Sequence, residues 1–394
     1  MRTGTMPLFE TKERTRTSPK RQGERNYDFY DTSGRNPFVI YRETVEGWLA
    51  EFPAEEQSDL VSRMRDGTDV QYEQALAEIV TYVALRRSGL EVEVHPQCPH
   101  PTNRPDFLVR DSAGDSLAYV EVTSFGPDVK SVARDNREAA IYNGLETVDL
   151  PPGWLLGYGV RAHGATAPSV KKLKAQVEQW AREECGEDAN HVPMRTFEAQ
   201  DWRIELTLLG GFDKGKVYDR KIGAAMGGLR SVAPHRDLRV ALDNKARKYG
   251  IEAIPYLIVV ADCKGSIPLG DHVEDTLLDG LFGTPAVRFR KLPDGGFQTF
   301  DVRGGDGFWG SHGAARNTNV SAVAILPEPN LWKLRDPRWQ PIIAYNPFAS
   351  CPIAHHVFPL SGFGPVVGEE GYGRVEGSNL ADIIGLPHEW PPED

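Results

Sequence analysis

The sequence predicts an α/β fold. Segments with apolar residues every three or four positions, typical of helices, alternate along the chain with shorter segments that have the patterns of strands. Ile254 to Ala261 is an almost wholly apolar segment, which indicates a strand covered on both faces of a sheet. Asp106 and Glu121 lie in two further strand-like segments that a short turn connects. The alternation of helical and strand patterns is typical of α/β proteins.

Length and composition limit the class of protein. The chain has 394 residues, 40% of them hydrophobic and 26% charged, enough for one large domain or two ordinary ones. The net charge of -11 argues against a surface that is basic throughout, but a local basic groove is compatible with it. No apolar segment approaches the ~20 residues of a membrane helix, so we expect no membrane partner and a cytoplasmic location. The four cysteines are scattered singly and indicate neither a disulfide framework nor a structural zinc site.

The N-terminal segments are expected to precede the core. Residues 1–36 are polar and basic, which predicts a flexible tail; an arm that contacts nucleic acid is the sharper alternative. Residues 37–68 form a helical lead-in whose apolar stripe includes Val45, Trp48, Leu49 and Phe52.

A longer helix is predicted from Asp69 to Ser88, with an apolar stripe of Tyr72, Leu76, Ile79 and Val83. Glu78 lies at the flank of this stripe. Glu78 is either a surface glutamate at the edge of a packed helix or a third acidic group that reaches toward Asp106 and Glu121. Glu73 is the second choice for that acidic group.

Two carboxylates should meet on a hairpin. After a strand at 90–95, the segment 105–110 and the segment 119–123 form two strands around a turn at 111–115. Asp106 begins the first, and Glu121 lies inside the second with Tyr119 and Thr123 on the same face. An ionisable side chain in so apolar a strand is costly to bury without a partner, and a divalent cation is a natural one.

The residues Pro105-Asp106 and Glu121-Val122-Thr123, in this order of elements, resemble the PD-(D/E)XK nuclease superfamily. The resemblance implies a restriction-endonuclease-like core, in which a helix, a three-stranded meander, a helix and a further strand build a mixed sheet flanked by helices. It assigns this core to residues 69–265. It also implies that Asp106, Glu121 and the backbone carbonyl of Val122 bind Mg²⁺ or Mn²⁺, with Glu78 as a possible third acid. The implied reaction is hydrolysis of DNA phosphodiester bonds by a metal-activated water.

The chain departs from the family where the motif has lysine, because Thr123 stands there. Another cation could take that role, and the predicted helix from Pro234 to Tyr249 offers one. Lys245 falls on its apolar stripe, where it either extends its ammonium group to water or serves catalysis; Lys248 is a second candidate. The more outward residues of this helix, together with Thr123, are expected to contact nucleic acid; they are Arg236, Arg239 and Arg247.

Two other functions remain open. The threonine at position 123 favours a nuclease fold that has no catalytic activity and serves as a nucleic-acid-binding or assembly module. Residues 210–217 match a phosphate-binding loop up to Val217, where the hydroxyl ligand for Mg²⁺ is missing, so a degenerate nucleotide hydrolase is a weaker alternative. DNA is the expected partner in the main interpretation, with a homodimer or a larger nuclease-containing complex as further possibilities.

Residues 266–394 are expected to form an extension of strands and irregular structure packed on the core. A hairpin is predicted from strands at 287–290 and 297–302, and a buried strand at 320–326. The final seventy or so residues are rich in proline and glycine and should wrap the core.

Overall fold

The computed structural model describes residues 6–125, 129–185, 192–210, 215–226, 233–250, 253–263, 265, 267, 272–293, 296–327, 329, 331–365 and 372–392. The chain divides into two compact units. Unit 1 comprises residues 1–18, 25–126 and 232–394, and unit 2 comprises residues 19–24 and 127–231. In the described part of the chain, no helix has the length and apolar character needed to cross a membrane.

The helices are α1 (Asn26–Thr32), α2 (Asn36–Glu51), α3 (Gln57–Asp66), α4 (Asp69–Arg87), α5 (Val129–Leu145), α6 (Val170–Glu184), α7 (Pro234–Ala246), α8 (His272–Phe282) and α9 (Leu380–Ile383). The strands are β1 (Glu91–Val94), β2 (Phe107–Arg110), β3 (Ser116–Phe125), β4 (Leu155–Ala162), β5 (Met194–Ala199), β6 (Trp202–Leu209), β7 (Ile222–Met226), β8 (Tyr256–Asp262), β9 (Pro285–Lys291), β10 (Phe297–Arg303), β11 (Gly310–Ser311), β12 (Ala314–Ala315), β13 (Ala322–Leu326), β14 (Ile342–Tyr345), β15 (Gly362–Pro365) and β16 (Tyr372–Val375).

Unit 1 is built on a mixed sheet of eight strands in the order β1-β2-β3-β8-β13-β14-β15-β16. The first three strands form an antiparallel meander, whereas β8 runs parallel to both β3 and β13. Every residue of β8 is buried, as its continuous apolar sequence predicts for a central strand. The expected α/β class is thus confirmed as a large mixed sheet flanked by helices.

Helices cover the two faces of this sheet. The alternation of side chains along β3 places Ala118, Val120 and Val122 in one core, which α2, α3 and α4 complete. Tyr119 and Phe125 belong to the core on the opposite face, which contains residues of α7 and α8. Glu121 and Thr123 share the face of Tyr119 and Phe125, so both lie on the side of the sheet that α7 covers.

Unit 2 interrupts the predicted core. It contains a four-stranded sheet in the order β5-β6-β4-β7 and has its own core around Trp180 and Trp202. It enters the sequence between β3 and α7, so residues 69–265 do not form one continuous domain. Four strands beyond residue 266 join the main sheet, and the C-terminal segment is therefore part of unit 1 rather than an extension packed on it.

The N-terminal segment differs from the predicted flexible tail. Among residues 6–36, Leu8 and Phe9 are buried in the core of unit 1. Arg14 forms an ion pair with the buried Asp31 at 2.8 Å, and α1 follows within the same stretch. The basic residues are thus partly used inside the fold, which weakens the alternative of a nucleic-acid-binding arm.

Candidate active site

The hairpin brings Asp106 and Glu121 together. Phe107 pairs with Val120, so Asp106, one residue earlier, lies across from Glu121. The backbone N–H of Val122 donates a hydrogen bond of 2.6 Å to Oδ2 of Asp106. Because the N–H and C=O of a strand residue point to the same side, the Val122 carbonyl is also directed toward the Asp106 side of β3.

Glu121 is 1% exposed, and its partners come from the end of α7 and the turn after it. Lys245 Nζ donates a hydrogen bond to Glu121 Oε1. The hydroxyl of Tyr249 donates to Oε2 at 2.6 Å, and Lys248 Nζ lies 3.8 Å from Oε1. The helix predicted to supply a cation therefore places two lysines at this carboxylate.

Local sequence explains this arrangement. Pro234 is the first residue of α7. A backbone N–H at that position has no partner within the helix, so proline, which lacks this group, costs the helix no hydrogen bond. Leu238 and Leu242 are fully buried between the helix and the sheet, and Lys245 lies three residues after Leu242 on the same stripe. The turn that follows ends at Gly250 with a φ of 64°, a conformation that suits glycine.

The site is electrostatically perturbed. Desolvation by burial raises the pKa of Asp106 well above the ordinary value, and the negative charges of Glu121 and Glu78 raise it further. The hydrogen bond from Val122 and the charge of Lys245 act in the opposite direction.

Lys245 and Tyr249 both keep their protons at neutral pH. Although burial lowers the pKa of Lys245, the charge of Glu121 and the hydrogen bond to it outweigh that effect, so the pKa is raised. Burial, followed by the charge of Glu121, also raises the pKa of Tyr249. Both side chains are therefore hydrogen-bond donors to Glu121.

Glu78 is neither at the surface nor a member of a three-acid cluster. Its carboxylate is buried and accepts two hydrogen bonds from the guanidinium of Arg63, at 2.7 and 2.5 Å. Within the described ranges, no group of three or more histidine, cysteine or acidic residues is arranged to hold a metal ion. Glu78 acts on the site through its charge, because it raises the pKa of Asp106. The alternative acid, Glu73, accepts a hydrogen bond of 3.0 Å from Asn26.

Two of the predicted nucleic-acid contacts are wrong. Thr123 is buried beside β8, in register with Val260, and cannot contact a macromolecule. The side chain of Arg239 is only 13% exposed and pairs with Asp306 at 2.5 Å. Arg236 and Arg247 are exposed, as the helical stripe predicts.

The sequence does not predict two residues of the site. Its pattern assigns Tyr249 to the apolar stripe of α7, although the spacing of four residues from Lys245 is a signal that the two side chains are neighbours. Arg63 has no such signal, because its pairing with Glu78 depends on how α3 packs against α4.

The donor atoms present fit a hard divalent cation. Asp106, Glu121 and the Val122 carbonyl provide oxygen atoms, which Mg²⁺ and Mn²⁺ prefer. Each carboxylate oxygen can accept more than one bond, so the bonds from Lys245 and Tyr249 leave acceptor capacity on Glu121. The Oδ1 atom of Asp106 forms no hydrogen bond with any residue that the structure describes.

The phosphate-binding loop lies partly outside the described residues, which exclude 211–214. Residues 215–221 contain no helix, whereas a loop of this type requires a helix at that point. Comparisons of the chain with protein families, curated proteins and solved structures found no match.

Proposed function

We propose that this protein is a metal-dependent nuclease that hydrolyses phosphodiester bonds in DNA. The observation that carries the proposal is the placement of Asp106, immediately before β2, across from Glu121 of β3, with Lys245 hydrogen-bonded to Glu121. Perturbed, clustered ionisable groups of this kind are characteristic of catalytic sites.

The order of elements supports the finer proposal of a restriction-endonuclease-like core. Helix α4, the meander of β1, β2 and β3, helix α7 and strand β8 follow one another in the order expected from the resemblance. The parallel pairing of β8 with β3 puts α7 over the face that carries Glu121. Unit 2 would be an insertion into this core, located in the sequence between β3 and α7.

In this proposal Asp106, Glu121 and the carbonyl of Val122 would hold the metal ion. A bound Mg²⁺ lowers the pKa of a coordinated water and offsets negative charge on the phosphate. The ammonium of Lys245 provides a fixed positive charge beside Glu121, a role that Thr123 cannot perform. Because Lys245 remains protonated at neutral pH, we assign it to charge stabilisation and orientation rather than to proton abstraction.

Tyr249 has a positioning role. Its hydrogen bond to Oε2 restrains the carboxylate of Glu121 while Lys245 holds Oε1. A carboxylate held at both oxygens keeps a fixed orientation, which favours geometrically exact coordination of Mg²⁺.

The alternative is a nuclease fold without catalysis that binds nucleic acid. The observation in its favour is that Glu121 is buried and already neutralised by Lys245, with Lys248 nearby. A carboxylate with these partners is electrostatically satisfied without a metal ion.

Cleavage assays separate the two functions. Supercoiled plasmid, linear duplex and single-stranded DNA would be incubated with Mg²⁺ or Mn²⁺ and with wild type, Glu121→Gln or Glu198→Gln. Glu198 is an exposed glutamate of β5 in unit 2 and provides the matched control. The nuclease predicts cleavage by wild type and Glu198→Gln only. Salt-sensitive DNA binding by all three proteins, with no cleavage in either metal, would instead support the binding module.

A further inference from the structure

The hairpin of β9 and β10 exposes aromatic side chains. Phe289 is 69% exposed, Phe297 67% and Phe300 39%. The other phenylalanines that the structure describes are buried or half-buried. These two strands pair with each other in a separate two-stranded sheet, an element of marginal stability in water on its own. A partner that covers the rings would stabilise the hairpin.

Cations accompany the aromatic rings on both faces of the hairpin. Lys291 pairs with Phe297, so this lysine shares a face with two phenylalanines, Phe289 and Phe297. On the opposite face Arg288 pairs with Phe300. Each face thus combines aromatic surface with positive charge.

The charges of the hairpin are available to a ligand. Arg288, Arg290 and Lys291 are exposed and make no ion pair with another residue in the described parts of the chain. Asp301 is the acid within the paired strands. The surface therefore complements a polyanion that also offers flat apolar groups, and a nucleic-acid strand has both features.

The base of the hairpin is fixed to helices α7 and α8. Arg303 forms an ion pair with Asp279 of α8 at 2.7 Å. Asp306 accepts a hydrogen bond of 3.3 Å from the N–H of Thr284 and pairs at 2.5 Å with Arg239 of α7. The hairpin is thus anchored to the helix that carries Lys245.

We propose that the hairpin binds unpaired nucleotides of a nucleic-acid strand, whose bases stack on Phe289 and Phe297. Lys291, which shares their face, neutralises a phosphate of the same strand, and Arg288 and Arg290 add positive charge beside Phe300 on the opposite face. Unpaired bases are the favoured occupant because their faces are open to stacking, whereas a duplex presents mainly base edges and phosphates. The inference rests on the proposed function, since it supplies the strand that the site would hydrolyse.

The test is binding of a fluorescein-labelled oligothymidylate of about 20 nucleotides, followed by fluorescence anisotropy in EDTA. Loss of one base–aromatic stack weakens binding roughly 5-fold to 150-fold. We expect Phe289→Ala/Phe297→Ala to raise the Kd at least about tenfold. Phe289→Leu/Phe297→Leu should show a similar loss, because leucine keeps apolar area but has no ring face. Val287→Ala, on the same face, is the matched control and should bind as wild type does.

The charges give a second readout. Neutralisation of one phosphate on a single strand contributes about 0.7 to the slope of log K against log salt concentration. Lys291→Gln removes the cation that shares the face of Phe289 and Phe297 and should therefore reduce that slope by about 0.7. The substituted side chains are exposed, so we expect circular dichroism spectra and thermal midpoints equal to those of wild type.

Equal affinity of wild type and Phe289→Ala/Phe297→Ala for the oligonucleotide would overturn the proposal. A preference for duplex over single strand would overturn the assignment to unpaired bases. The wild type could also prove to be a dimer that this double variant converts to monomers, with an unchanged affinity for the oligonucleotide. That result would assign the face to a second copy of the chain and would also overturn the proposal.

Different results would contradict nucleotide binding by the hairpin and hydrolysis of DNA by the candidate site. The wild type could bind the oligonucleotide in EDTA through the phenylalanines but cleave no DNA. That result would support nucleotide binding by the hairpin and contradict the proposed hydrolysis. If wild type cleaves DNA and the hairpin substitutions leave that cleavage unchanged at low DNA concentration, only the proposed role of the hairpin would be contradicted.

Discussion

Replacing Lys245 by methionine isolates the contribution of its charge. Methionine retains an apolar side chain of similar length but leaves Glu121, which is 1% exposed, without its closest cation. Removing one partner of a buried ion pair costs about 3–5 kcal/mol. The hydrogen bond from Tyr249 remains, Lys248 lies 3.8 Å away, and the side chain of Lys245 is itself 20% exposed. We therefore expect the lower end of the range, about 3 kcal/mol.

The free energies of unfolding would be measured by urea denaturation at neutral pH without divalent ions, with circular dichroism as the signal. Lys248→Met is the control, because this more exposed lysine has the longer contact with Glu121; we expect it to cost less than about 1 kcal/mol. In Glu121→Gln/Lys245→Met the buried charge is gone. The loss of unfolding free energy in this double variant should therefore be smaller, by about 2 kcal/mol, than the sum of the losses in the two single variants. Equal costs for the two lysine variants, or strict additivity in the double variant, would show that Lys245 does not stabilise the protein through the charge of Glu121.

Three further predictions concern the surroundings of this pair. At pH values between the ordinary and the raised pKa of Asp106, the folded protein keeps a proton that the unfolded chain has lost. This carboxyl therefore makes the free energy of unfolding fall as the pH rises. Asp106→Asn should lack that fall, and its stability relative to wild type should increase with pH in urea titrations; parallel pH profiles would contradict the raised pKa. Tyr249→Phe removes a hydrogen bond to a buried carboxylate and should cost about 1.5–3 kcal/mol of unfolding free energy, whereas no loss would show that the hydroxyl is dispensable. Arg63→Met leaves the buried Glu78 unpaired and should cost about 3 kcal/mol, the lower end of the range, because the side chain of Arg63 is 24% exposed. Glu78→Gln in the same chain should recover part of this cost; no recovery would show that Arg63 acts through packing alone.

Local patterns in the sequence predict the elements that hold the site. The periodicity of α4, the turn between β2 and β3 and the apolar run of β8 each depend on residues close together in the chain. The stripe of α7 also identifies Lys245 as a cation that faces the core. These features predict that Asp106 and Glu121 are neighbours. For Lys245 they leave two roles open, and the contact with Glu121 is a finding of the structure.

Long-range pairing limits what the sequence predicts. The strands of unit 2 and those of unit 1 have the same local patterns, so the sequence does not indicate that β4 to β7 form a separate sheet. Nor does it indicate that β13 to β16 extend the main sheet. The pairing of Arg239 with Asp306, 67 residues later, likewise cannot be inferred from the stripe of α7 alone.

Binding of Mn²⁺, followed by electron paramagnetic resonance, tests directly whether Asp106 and Glu121 form one metal site. Wild type should remove Mn²⁺ from the free pool at a defined stoichiometry, and Mg²⁺ should compete for the same site. Asp106→Asn and Glu121→Gln should each abolish that binding, whereas Glu198→Gln should bind as wild type does. Equal binding of Mn²⁺ by all four proteins would show that the two carboxylates are not its ligands and would contradict the proposed metal site.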